Sequence, residues 1–167
     1  NGSLVILEKD KNNTWNKNVV SPIQNEIANQ TKHTKKNNLT TVFSLNWTHD
    51  VATKENVLLC GTGDARIRVY RKKDQKWTCN VVLPVPEFDS TYAEDDEYKA
   101  FVRSIASSSS GFVAVSQDRK VFVYLLKDLI SEEMPLPKYE LDIHRLWINA
   151  LAFSSSNGNI LATGGQD

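Results

Sequence analysis

Short runs with apolar residues on every second position recur along the chain, and they superpose on one another. NGSLVIL at 1–7, DARIRVY at 64–70 and DRKVFVY at 118–124 align without a gap. Each opens on an acidic or amide residue suited to a turn and continues into β-branched and aromatic positions, with an inner face starting at Leu4, Ile67 or Val121. Another strand precedes the last two copies, VLLCGTG at 57–63 and FVAVSQ at 112–117, and returns as ILATGGQD at 160–167. TWNKNVVSPI at 14–23 and KWTCNVVLPV at 76–85 share a spacing of Trp, Asn-Val-Val and Pro, and predict a fourth strand. TVFSLNW at 41–47, FVRSIAS at 101–107 and WINALAF at 147–153 supply an innermost one; the Ser/Gly turns SSSSG and SSSNG follow the last two.

The repeating unit is therefore four short strands joined by hairpins. Strands such as NVLLCG and GFVAV are nearly continuous in apolar residues, so both faces are expected to be buried, as in sheets stacked on sheets. Four-stranded units in series are what a β-propeller requires. The turn residue recurs at Asn1, Asp64, Asp118 and Asp167, spacings longer than a compact blade needs, so loop insertions are expected. The predicted map places third and fourth strands of one blade in 1–23, a loop in 24–40, a second blade in 41–85, an acidic loop in 86–100, a third blade in 101–143 and the first two strands of a fourth in 144–167. The expected fold is all-β: about three four-stranded blades of a larger, seven-bladed ring, cut at equivalent points of one turn.

Composition sharpens this only at the edges. Among 167 residues, 20 Lys plus Arg balance 20 Asp plus Glu, which argues against a uniformly basic nucleic-acid binder. No apolar run approaches the roughly 18 to 20 residues of a membrane-spanning helix. Cys60 and Cys79 are too few for a disulfide framework or zinc site, which favours a reducing, cytoplasmic or nuclear setting. Asn-x-Ser/Thr sequons begin at Asn1, Asn12, Asn29, Asn38 and Asn46, but Asn46 falls in an apolar strand with no room for a glycan. The 3 histidines do not assemble a catalytic or metal constellation: His33 and His49 are assigned to loops and His144 to a structural role. No enzymatic activity, cofactor, metal or small-molecule substrate is expected.

The repeated strings resemble the WD-repeat β-propeller family across essentially the whole chain. In that family a His before the inner strand, a Ser or Thr in the second strand, the turn Asp and a Trp in the third strand share a buried hydrogen-bond network. The resemblance implies that role for Thr62 and Asp64, for Ser116 and Asp118, and for His144 with Asp167. Tyr70, Tyr124 and Leu7 replace the Trp, Gly165 replaces the hydroxyl residue, and Asn38 and Tyr98 stand at the His position. VYRKKDQKWTC is similar to the WD-repeat subunit of the cytosolic iron–sulfur protein assembly machinery, while VSQDRKVFVY is similar to coat and nucleoporin propellers; an Elongator-type subunit stands beside both.

Candidate chemistry lies in the loops. In a propeller the connection into each inner strand opens on the same face as the Asp turn. One such connection carries Lys32, Lys35 and Lys36; the next carries Glu94, Asp95, Asp96 and Glu97 with Tyr98. Solvated loops are the plain reading. The sharper one is a bipolar partner-binding face, with Arg103, Gln117, Trp147 and Gln166 close by. On the opposite face, 127–138 reads as a connection in which Met134 and Leu136 could dock or pack. The expected function is a non-enzymatic scaffold subunit of a multiprotein complex, its partners other protein subunits. The alternative is a subunit of a transcription or RNA-processing assembly, with weak nucleic-acid contact through the Lys-rich loop.

Overall fold

The computed structural model describes residues 4–20, 41–63, 65–82, 101–131, 134–156 and 158–167. They form four antiparallel sheets in chain order. The first pairs β1 (Leu4–Lys9) with β2 (Trp15–Val20). The second runs β3 (Val42–His49), β4 (Asn56–Thr62), β5 (Ile67–Lys73) and β6 (Lys76–Val82). The third runs β7 (Val102–Ser107), β8 (Phe112–Gln117), β9 (Lys120–Leu125) and β10 (Tyr139–Asp142). The fourth pairs β11 (Ile148–Phe153) with β12 (Leu161–Gly165). Two expectations change here. His49 is the last residue of β3 rather than a loop residue, and the stretch after β9 opens with a short helix, α1 (Leu126–Ser131), whose Leu126 and Leu129 are buried; Met134 and Leu136 are exposed.

Period-two alternation explains how the sheets stack. On β4 and β5, Leu58, Cys60 and Tyr70 point one way and pack with Leu4 and Ile6 of the first sheet. Val57, Leu59, Ile67 and Val69 point the other way, meeting Val113, Val115, Phe122 and Tyr124 of the third sheet, with α1 closing the end through Leu129. The third sheet's opposite face, Ala114, Val121 and Val123, meets Ile148 and the half-buried Leu151, Phe153 and Leu161 of the fourth. Middle strands are thus apolar on both faces because both faces meet another sheet. A buried side chain the size of Leu or Val contributes on the order of 1.5–3 kcal/mol.

Inner strands lie next to one another along the stack, β3 beside β7 and β7 beside β11. Polar contacts cross these seams as well: Ser107 Oγ donates to Asn46 Oδ1 at 2.6 Å, Leu151 N to Ser104 Oγ at 3.1 Å, and Lys72 Nζ pairs with Glu8 at 2.8 Å. Gly61 lies where β4 meets β7; a Cβ there would come within 2.6 Å of Val102 Cγ1, so the close approach of the two sheets requires the glycine.

Candidate functional site

Each inner strand carries a bulge at its first residues. The pairing with the second strand shifts between Val42 and Ser44, between Val102 and Ser104, and between Ile148 and Ala150. The extra residues are Phe43, Arg103 and Asn149. A bulge takes one side chain out of ladder pairing and re-aims it, and here the same position is re-aimed three times at one end of the stack. The contacts that follow are also repeated. Phe43 stacks on Phe101, the residue just before β7, at 5.3 Å between ring centroids. One sheet on, the Arg103 guanidinium lies 4.0 Å from the ring centroid of Trp147, the residue just before β11. A cation held against an indole face keeps its N–H edges available while its stem is ordered. Arg103 makes no ion pair with any described residue.

The Asp turns open at this same end. Asp118 takes a left-handed backbone, φ 54°, and its carbonyl accepts a hydrogen bond from Ile148 N at 3.0 Å. Gln166, exposed, donates its backbone N–H to the Trp147 carbonyl at 3.0 Å. Four candidate partner residues are therefore placed: Arg103 and Trp147 touch, Gln166 lies beside them, and Gln117 does not belong to the surface. Gln117 is only 3% exposed, because it pairs with Val102 and fills the space under the rim. Asp64, Lys32, Lys35, Lys36, Glu94, Asp95, Asp96, Glu97 and Tyr98 lie outside the described residues.

Register revises the predicted networks. The first residues of the inner strands pair as Val42 with Thr62, Val102 with Gln117 and Ile148 with Gly165, so these three, and not Thr62 and Ser116, are equivalent. Ser116 is one place earlier and bridges sheets: its Oγ accepts from Ser104 N at 2.9 Å and donates to the Ile148 carbonyl at 3.2 Å. Thr62 Oγ1 donates to the Arg66 carbonyl at 2.9 Å and accepts from the guanidinium of Arg68, a side chain only 2% exposed. In the fourth sheet, His144 Nδ1 sits 2.7 Å from Asp167 Oδ1 and Nε2 sits 2.8 Å from Thr163 Oγ1, while Arg145 N donates to Asp167 Oδ2 at 3.0 Å. The hydroxyl that seemed missing at Gly165 is supplied by Thr163, two residues earlier. The backbone N–H of Arg145, then His144, hold the Asp167 carboxyl below its usual range.

The family model for the WD domain, G-beta repeat, matches residues 136–167. This stretch is similar to a WD repeat. It contains the whole His144, Thr163 and Asp167 network, and the all-β stack around it is consistent with a β-propeller. No curated protein matches the chain. Among WD-repeat proteins generally, such domains mediate protein–protein interaction and scaffolding.

At the other end, where the Ser turns lie, a cleft of about 560 Å3 is lined by Trp47, His49, Asp50, Lys54 and Ser107 to Ser109, among others. Its carboxylate is already engaged: Asp50 accepts from Ala52 N at 3.0 Å and from Thr53 Oγ1 at 2.9 Å, contacts that lower its pKa. Among the described residues no group of three His, Cys, Asp or Glu could hold a metal ion, and no helix is long and apolar enough to cross a membrane. Sequence reading found Arg103 and Trp147 but missed Phe43, Phe101, Thr163 and Arg68. The bulge that aims Phe43 has no local sequence signal, and Arg68 stands at a strand position that reads as solvent-facing.

Proposed function

We propose that this chain is a non-enzymatic interaction scaffold, built from about three blades of a larger ring and serving as a subunit of a multiprotein complex. The observation that carries this reading is the repeated rim contact, Phe43 on Phe101 and then Arg103 on Trp147. Aromatic surface lies beside a cation that has no carboxylate partner among the described residues, at one end of the stack. Aromatic and Arg residues of this kind are the commonest anchors of protein interfaces. A cytoplasmic or nuclear setting belongs to the same proposal, since Cys60 and Cys79 are not joined in a disulfide. The resemblance of VYRKKDQKWTC makes the iron–sulfur assembly machinery the first complex to test.

The test is affinity capture from cell extract with the tagged chain and with Arg103→Glu and Trp147→Ala variants. Partners specific to the native chain should be lost or weakened by about 10-fold or more, roughly 1.4 kcal/mol, while urea unfolding stays unchanged. An identical set of captured proteins on all three baits would refute the rim as the binding surface.

A further inference from the structure

Two turns wall the cleft at the Ser-turn end, one from each of the two four-stranded sheets. The β3–β4 turn is built around Asp50. Its N–H donates to the Glu55 carbonyl at 3.0 Å and its carbonyl accepts from Lys54 N at 2.8 Å. Its two carboxylate oxygens are spent inside the turn, Oδ1 on the Ala52 N–H and Oδ2 on the Thr53 hydroxyl. The β7–β8 turn is built around Ser108, which is buried. Ser108 Oγ accepts from Phe112 N at 3.0 Å and lies 3.0 Å from Ser110 Oγ. Gly158 of the next turn backs this wall so closely that a Cβ there would approach Ser108 Cβ to 2.7 Å. Beside the cleft, Ser107 Oγ ties the two sheets together by donating to Asn46 Oδ1. Both walls are thus fixed before anything binds, which lowers the cost of binding.

Three lining side chains are left uncommitted. The Lys54 ammonium, the His49 imidazole and the Ser109 hydroxyl have no polar partner among the described residues. All three donate: the ammonium carries N–H groups only, a neutral imidazole keeps one N–H in either tautomer, and the hydroxyl has one proton. Lys54 is placed by its left-handed backbone, φ 61°, within the Asp50 turn. Asp50 supplies the one carboxylate on the walls, and its oxygens face the turn rather than these donors. We infer that the cleft is a binding site for a phosphate monoester. Such an ester presents three strong acceptor oxygens around a tetrahedron, one for each donor group, whereas a carboxylate offers two in one plane. Lysine serves phosphate as a point charge and needs no bidentate geometry. The volume, about 560 Å3, exceeds what one phosphate fills, so the group that carries it enters as well, against Thr48 and the exposed Val51. A phosphorylated side chain of a partner protein and a nucleoside monophosphate both carry that ester. The site lies at the opposite end of the stack from Arg103 and Trp147 and does not depend on the rim reading.

The test is a titration of the isotope-labelled chain with O-phosphoserine, with adenosine monophosphate and with serine, followed by amide and imidazole NMR signals. At about 10 mM one or both phosphate esters should shift the amides of 51–54 and 108–111 together with the His49 ring, and serine should shift none. Binding of O-phosphoserine alone identifies a protein side chain as the carrier; binding of the nucleotide alone identifies a nucleotide. Lys54→Gln should weaken the interaction by about 10-fold and Ser109→Ala by about 3-fold, with the circular dichroism unchanged. Lys73→Gln, on the β5–β6 hairpin outside the cleft, should leave it unaltered. Silence toward both esters, shifts spread over lysines away from the cleft, or undiminished binding by Lys54→Gln would overturn the inference.

Discussion

The ends of β4 and β12 occupy the same place in their sheets and are filled in opposite ways. At the end of β4 stands Thr62, and Arg68 reaches across from β5 to bond it. At the end of β12 stands Gly165, and His144 enters the space from before β11, held between Thr163 and Asp167. A Cβ on Gly165 would approach His144 Nδ1 to 2.6 Å and Asp167 Oδ1 to 2.5 Å, so this glycine is required by a neighbouring ring rather than by its own backbone. The third sheet offers yet another solution, a single buried Gln117. The comparison teaches that a repeat can keep its strand geometry while exchanging the groups that satisfy its polar corner, provided each donor finds an acceptor.

The comparison breaks most severely at Arg68. Arg68→Ala should destabilise the chain by about 2–4 kcal/mol in urea unfolding, because it empties a buried volume between the first and second sheets and removes the charged donor to the Thr62 hydroxyl; a loss under about 0.5 kcal/mol would mean that the corner is not shared as described. Gly165→Ala should cost about 1–3 kcal/mol by overpacking against His144. Adding His144→Ala should recover part of that loss, giving a coupling of about 1 kcal/mol in a double-mutant cycle; strictly additive costs would remove the steric explanation. Alone, His144→Ala should cost about 1 kcal/mol and speed amide exchange at Arg145.

Acid sharpens the same corner. The folded-state pKa of Asp167 lies below its ordinary 3.8, so its contribution is present above that value and fades as pH falls through the folded value. An acid titration followed by tryptophan fluorescence should show this step in the native chain and lose it in Asp167→Asn. The smallest expected effect contrasts two tyrosines at equivalent places on β5 and β9. Both are pushed to high pKa chiefly by burial, but Tyr70 also hydrogen-bonds Cys79, whereas the Tyr124 hydroxyl has no partner among the described residues. Tyr124→Phe should be neutral or stabilising by up to about 1 kcal/mol, and Tyr70→Phe should destabilise by a similar amount. Equal effects of the two would show that their surroundings do not differ.

Much of the architecture was legible because it is local. The β4 and β8 runs read as doubly buried strands from their unbroken apolar residues, and both are buried on two faces. The Ser turns were legible from composition: Gly111 and Gly158 take φ of 84° and 65°, as residues ending such turns do. Gap-free superposition misled at Asp118, whose turn is one residue tighter than the turn after Thr62, so hydroxyls that align in sequence point to different sheets. A one-residue shift reverses faces in a strand, which no string comparison registers.

Among the described residues the sequence by itself determined the order and the hairpin connections of the strands it predicted, since alternation and turn chemistry act over a few residues. Tertiary structure decided the rest: that Gln117 is covered, that Thr163 completes a network that Gly165 seemed to break, and that Arg103 comes to lie on Trp147. These depend on bulges and on the stacking of one sheet against the next. Such contacts join residues far apart in the chain, and their energies come from packing and desolvation that exist only once the sheets have met.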